Sequence, residues 1–241
     1  MRRIFNLSEK DVISIVGAGG KTSLMFALGE ELRKEFRVMI TTTTKIFVPR
    51  NNQYDFMFIG EDAYSTRNIK HKGIYIYGKK INSENKIIGF QGEELNKIIE
   101  SFDYVIIESD GSKMKPLKGW GEQEPVICSD TDKTIGVFDI STIGNYIENK
   151  LIHRMDKFLN ITGGDLEEEI TVEHGVNLIL HEEGLFKDSK GEKILFINKV
   201  ESNEDKLQAH RLNKRIKEIN PNYLHRIVAG SVKSGMFEVL H

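Results

Sequence analysis

The chain has 241 residues, a length for one large α/β domain whose core needs neither disulfide nor structural metal. With 34 Lys and Arg against 36 Asp and Glu, its net charge of −2 argues against a general electrostatic grip on nucleic acid or an anionic membrane. A lone cysteine, Cys128, excludes an intramolecular disulfide and fits a reducing, cytoplasmic setting. No apolar run nears the ~20 residues that span a bilayer, and Glu9, Lys10 and Asp11 break up any signal-peptide core at the N-terminus.

Strands alternate with helices along the chain. Residues 12–16 (VISIV) form a short apolar run ending at glycines, which predicts a buried strand. Residues 21–35 carry Leu24, Ala27, Leu28 and Leu32 at helical spacing. Residues 37–42, 55–59 and 73–77 are β-prone. The stretch 77–90 predicts a hairpin around Asn82, Ser83 and Asn85, giving a small β-hairpin insertion over about 73–90. A short helix over 92–101 precedes a strand at 104–108 (YVIIE). A long irregular loop spans 109–132, then a strand over 134–138 and a helix over 171–180. A buried strand over 193–197, a charged helix over 205–219 and a last strand over 223–228 complete the pattern. The alternation predicts a single α/β domain over 1–241, with a mostly parallel sheet and helices on both faces.

The strongest chemical signal is ISIVGAGGKTS, residues 13–23. Glycines let successive backbone N–H groups turn toward phosphate oxygens, and the helix start behind them adds partial positive charge. Gly17, Ala18, Gly19, Gly20, Lys21, Thr22 and Ser23 are therefore candidate triphosphate-binding residues. Lys21 would reach the β/γ-phosphates, and Thr22 would ligate Mg²⁺. The full GxxxxGK[ST] pattern asks for glycine where Ile15 stands, so the loop is a shorter one, similar to that of Mur-type ligases. A dinucleotide fingerprint is weaker, since GxGxxG requires glycine at Thr22.

The run 104–125, YVIIESDGSKMKPLKGWGEQEP, is the second signal. Glu108 closes a strand at the end where ligands gather in parallel sheets, and is a candidate Mg²⁺ ligand. Asp110 is a second candidate, as metal ligand or general base. Lys113, Lys115 and Lys118 bring three cations near the phosphates, to offset transferred charge or hold an anionic second substrate. Trp120, the only tryptophan, packs the loop or stacks on a ligand ring. TTTTK, residues 41–45, places Thr42, Thr43 and Thr44 at another strand end, where a hydroxyl can meet phosphate, Mg²⁺ or the nucleophile; Thr43 is the catalytic candidate among them. Asp139 and Ser141 read as capping residues, and Arg154 as a candidate phosphate contact. ILFINKVE, residues 194–201, resembles the NKxD element by which GTPases read guanine, with Glu201 in place of aspartate. Ser231-Val232-Lys233 resembles their SAK element. Asn198, Lys199 and Glu201 are thus candidate base-binding residues.

Taken in order, IVGAGGKTS, ITTTTKIFVP, IIESDGSKMKPLKGWGEQEPVI, GVFDISTIG, GVNLILHEEGLFK and ILFINKVE resemble the YqeC family over nearly the whole chain. Its members are regarded as accessory proteins of selenium-dependent molybdenum hydroxylases. The resemblance implies a P-loop NTPase-like fold and a cytoplasmic role in maturing such hydroxylases or their cofactor. Cys128 stands where that pattern leads one to expect proline, so no thiol chemistry is attached to it. The expected cofactors are Mg²⁺ and a nucleoside triphosphate, ATP or GTP. The expected partners are the nucleotide and a molybdenum hydroxylase or its cofactor, not nucleic acid or membrane. The leading expectation is an NTPase or phosphotransferase; the alternatives are a nucleotide-gated switch for a client enzyme and a Mur-like ATP-dependent ligase.

Overall fold

A computed structural model of the chain describes residues 1–64, 69–90 and 94–241. In chain order the elements begin with β1 (Val12–Gly17), α1 (Lys21–Leu32), β2 (Arg37–Thr42), β3 (Lys45–Phe47), β4 (Phe56–Ile59), β5 (Gly73–Gly78), β6 (Lys80–Ile81) and β7 (Lys86–Ile88). Then come α2 (Asn96–Ile99), β8 (Tyr104–Glu108), β9 (Leu117–Lys118), β10 (Lys133–Asp139), β11 (Ile152–His153) and α3 (Met155–Thr162). The chain ends with α4 (Val172–Leu180), β12 (Glu192–Asn198), α5 (Asn203–Ile219), β13 (Arg226–Ser231) and β14 (Met236–Val239).

Nine strands form one sheet in the order β14-β13-β12-β10-β1-β8-β2-β5-β4. Every pairing in it is parallel except β13 with β14. The period of two along each strand divides the core. Ile13, Ile15, Ile106, Val137 and Phe196 pack with Leu24 and Leu28 of α1 on one face. Val16, Phe138, Leu195 and Ile197 pack on the other with Phe158 of α3, Val176 of α4 and Leu212 of α5. Buried on both sides, these strands read as near-continuous apolar runs. β1 lies between β8 and β10, so the C-terminal ends of β1, β8, β10 and β12 converge on one edge of the sheet.

The structure moves several predicted boundaries. The strand at 73–78 belongs to the main sheet, so the insertion is smaller than 73–90: β6 and β7 pair antiparallel, and β7 pairs with β3. The helix predicted over 92–101 is the single turn α2; residues 91–93 lie outside the described residues. The 109–132 loop is pinned down. β9 pairs with β11, Leu117 and Trp120 are buried, and Val126 N–H donates to the Ser109 carbonyl at 3.0 Å.

Candidate functional site

The glycine loop joins β1 to α1 with both φ values positive at Gly19 (77°) and Gly20 (129°). Neither position admits a side chain: a Cβ on Gly19 would lie 2.4 Å from the Asp139 Cβ, and one on Gly20 2.3 Å from the Asn198 amide nitrogen. The loop is thus clamped against the ends of β10 and β12, and the Asn198 amide donates to the Gly19 carbonyl at 2.8 Å. Gly20 caps α1 with no side-chain hydrogen bond, and the first turn carries no acid. The N–H groups of 19–23 have no partner among the described residues, which leaves the positive end of the helix open to an anion.

Lys21 is 4% exposed and donates to the Gly17 carbonyl at 2.7 Å. Its ammonium also lies 3.3 Å from Asp110 and 3.9 Å from Glu108. Burial opposes its charge, but those two carboxylates hold its pKa above the ordinary lysine value. The two acids part company. Burial pushes the Glu108 carboxyl above its ordinary pKa, with Lys21 and a 2.6 Å hydrogen bond from the Thr22 hydroxyl offsetting only part of that. Asp110 is just as deep, but Lys21, Lys118 and the Gly17 N–H outweigh burial and hold it below the usual range. It accepts from Gly17 N–H at 3.1 Å, Lys118 at 3.1 Å and the Trp120 indole at 2.8 Å. All three donors share Oδ2, whereas Oδ1 is buried with no hydrogen-bond partner among the described residues and faces the Lys21 ammonium, so one oxygen is tied to the loop and the other to Lys21. The structure therefore recasts Asp110 as the residue that positions Lys21 and Trp120.

These groups border a cavity of about 1540 Å³. Gly19 to Ser23, Thr43, Glu108, Lys113 and Lys199 line it, whereas Asp110, Asn198 and Glu201 do not. Eight lysines and arginines against four glutamates line this cavity, a local excess of cations in a chain of net charge −2. The three loop lysines divide. Lys118 is fully buried between Asp110 and Glu124, and Lys115 donates to the Asn149 and Ile152 carbonyls. Neither is free for substrate, which corrects their reading as site cations; Lys113 alone is unengaged among the described residues. The Thr43 hydroxyl donates to the Val126 carbonyl at 2.8 Å and tethers the long loop, keeping only its acceptor lone pairs for the cavity. Thr44 lies beside it on the cavity wall.

The distant base-reading candidates do meet. Ser231 donates to the Glu201 carboxylate at 2.9 Å, Lys233 lies 3.4 Å from it, and Val232 N–H donates to the Asn198 side chain at 3.4 Å. Lys199 adopts a positive φ of 63° and pairs with Asp139 at 2.5 Å. Asp139 also accepts from Ser141, the capping contact that the sequence predicts. Sequence reading missed Glu124, which bridges Lys118 and Arg154, and Lys157, which lies one turn beyond Arg154 on α3.

A family model described as "YqeC protein" matches residues 13–156, which include the glycine loop, Glu108 and the long loop. A protein of Escherichia coli (strain K12), described as "Uncharacterized protein YqeC", is 32% identical over 211 residues. The match covers 83% of this chain and 80% of that one. Among the described residues, no helix is long and apolar enough to cross a membrane.

Proposed function

The chain belongs to the YqeC family, and we propose that it binds a nucleoside triphosphate with Mg²⁺ and transfers or releases the terminal phosphoryl group. The observation that carries this reading is the uncapped start of α1 behind the glycine loop, with Lys21 and the Thr22–Glu108 pair beside it. Backbone N–H groups and a helix terminus suit a polyphosphate, and Lys21 adds a point charge for its β/γ end. An all-oxygen pair, Thr22 and Glu108, suits Mg²⁺, which takes one or two protein ligands and completes its shell with phosphate and water. Among the described residues no cluster of three or more His, Cys, Asp or Glu would hold a metal alone. Mg²⁺ bound there would neutralise charge on the phosphates.

The protein's own part is positioning. Lys21 leaves the Gly17 carbonyl for the phosphates while Asp110 keeps it charged and near. The acceptor lone pairs of Thr43 and Thr44 orient the incoming nucleophile. Asn198 fixes the glycine loop, and in a guanine-reading site Glu201, which lies outside the cavity and is held by Ser231 and Lys233, would accept from the N1–H and 2-amino donors. The partner in this reading is a molybdenum hydroxylase or its cofactor, in keeping with the family resemblance, and the nucleophile is water, a cofactor oxygen or a selenium species. Phosphate release from GTP and from ATP tests this reading. Lys21→Ala is expected to slow release by ~10²–10³ with the fold intact, and near-normal turnover by the folded variant would discard it.

A gated-binding role has one observation in its favour. Asp110 joins Lys21 to the 109–132 loop through Lys118 and Trp120, so a nucleotide that draws Lys21 away would be felt there. Slow phosphate release that rises on adding a client hydroxylase would favour that role over simple catalysis.

A further inference from the structure

Five of the cavity's eight cations form two groups. Lys21 and Lys199 stand at the glycine-loop end, and both are paired, with Asp110 and Asp139. Lys113, Arg154 and Lys157 lie on the wall made by the long loop and the start of α3. Neither the Lys113 nor the Lys157 ammonium has an ion-pair or hydrogen-bond partner among the described residues. Arg154 grips Glu124 with two contacts, at 3.1 and 2.8 Å.

Three further features mark this wall. Lys113, Met114 and Arg154 have φ values of 50°, 62° and 58°, a left-handed conformation that L side chains rarely adopt. Such strain collects where a ligand must be clamped. His153 lies among these cations; burial first, then Lys118, Arg154 and Lys113, pushes its pKa down to about 4, so the ring is neutral at physiological pH. The wall is also fixed relative to Lys21 by a chain of ion pairs. Arg154 to Glu124 is 2.8 Å, Glu124 to Lys118 3.0 Å, Lys118 to Asp110 3.1 Å and Asp110 to Lys21 3.3 Å.

We propose that Lys113, Arg154 and Lys157 form a second anion subsite, distinct from the triphosphate site, that takes the phosphate group of a phosphorylated second substrate. The inference deepens the nucleotide reading and uses it only to identify the other occupant of the cavity. The long loop and the start of α3 give the cavity four cations, Lys113, Lys115, Arg154 and Lys157, against Glu122 and Glu124, a net charge of +2. That matches a phosphate monoester dianion and is twice what a single carboxylate offers. Lys113 and Arg154 both act on His153, and the wall's cations outnumber its carboxylates, an excess that an anionic ligand relieves. With Nε and Nη2 on Glu124, the guanidinium keeps its Nη1 end for a phosphate oxygen, and the lysines supply point charges.

Inorganic phosphate is the probe, followed by titration calorimetry at 0.15 M ionic strength. It is titrated with and without a non-hydrolysable triphosphate analogue and Mg²⁺ filling the glycine loop. The expected result is a saturable phosphate event that persists with the analogue bound. Lys157→Glu, at an exposed side chain, is expected to weaken that event about tenfold and to change analogue affinity less than about twofold. Arg154→Ala is expected to act alike, with partial recovery in Arg154→Lys. Lys21→Ala is expected to lose the analogue and keep the phosphate event, so failure of the nucleotide reading would leave the subsite standing. Three results would overturn the proposal: no phosphate event, complete displacement of phosphate by the analogue, or variants that weaken analogue and phosphate equally. The last would assign these cations to the nucleotide itself.

Discussion

Asp110→Asn removes the negative centre of a buried network without changing its size. The carboxylate is fully buried and serves Gly17 N–H, Lys118, the Trp120 indole and Lys21. An asparagine oxygen can still accept from one or two of these donors. The amide cannot neutralise Lys21 or Lys118, and its NH₂ would face an ammonium. Removing one partner from a buried ion pair costs ~3–5 kcal/mol. At ~2–4 °C per kcal/mol for a chain of this size, Tm is expected to fall by roughly 6–20 °C. The pH dependence follows from the direction of the shifts. Asp110 is held below its ordinary 3.8, so its contribution is complete above that value and is lost as pH falls through the lowered one. Lys21 is held above its ordinary 10.5, so its contribution is complete below that value and is lost as pH rises through the raised one. The gap between parent and variant is therefore expected to be flat from about pH 5 to 9 and to close in acid. Thermal unfolding followed by far-UV circular dichroism across that range measures it. A Tm loss under about 2 °C at pH 7 would refute the assignment of Asp110 as the network's anchor.

Glu108→Gln is expected to separate metal from fold. A carboxyl raised above its unfolded 4.5 stabilises the protein below that pH and loses this contribution as pH rises through the folded value. At pH 7 without Mg²⁺ the variant is thus expected to melt no lower than the parent, while the Mg²⁺ midpoint for nucleotide binding moves up at least about tenfold; an unchanged midpoint would make Glu108 purely structural. Trp120, the only tryptophan, donates to Asp110 and so reports on Lys21: its emission is expected to change saturably with nucleotide, and a flat response during calorimetrically observed binding would break the proposed link. GTP is expected to displace a labelled nucleotide about ten- to a hundredfold better than ATP, or ~1.4–2.8 kcal/mol. Glu201→Ala should erase that difference, and equal affinities in the parent protein would discard the guanine pocket.

Local pattern carried much of the fold. Strands 37–42 and 104–108 lie where the sequence puts them, because each is an apolar run whose length and β-branched content leave little choice. β14 was missed: four residues after a glycine turn are a strand only because β13 offers an edge. β9 and β11, two residues each, exist only as a pair brought together by tertiary packing. The glycine loop, Thr22 and Glu108 were legible because their neighbours are local or sit on adjacent strands. The loop lysines were not. Lys113, Lys115 and Lys118 look alike in sequence, and their fates depend on carbonyls at 149 and 152 and on a carboxylate at 124. The surroundings of Asp110 were hidden for the same reason: its partners come from residues 17, 21, 118 and 120.

Whether the glycine loop holds a triphosphate is settled by titrating the parent protein and Lys21→Ala, side by side, with a non-hydrolysable GTP or ATP analogue and Mg²⁺ in a calorimeter. The expected result is one saturable site in the parent, with a dissociation constant below about 1 mM. The folded variant should bind at least about tenfold more weakly, the least that loss of a buried phosphate-directed cation should cost. No saturable heat in the parent at millimolar analogue, or equal binding by a folded Lys21→Ala variant, would mean that the open start of α1 serves something other than a nucleotide.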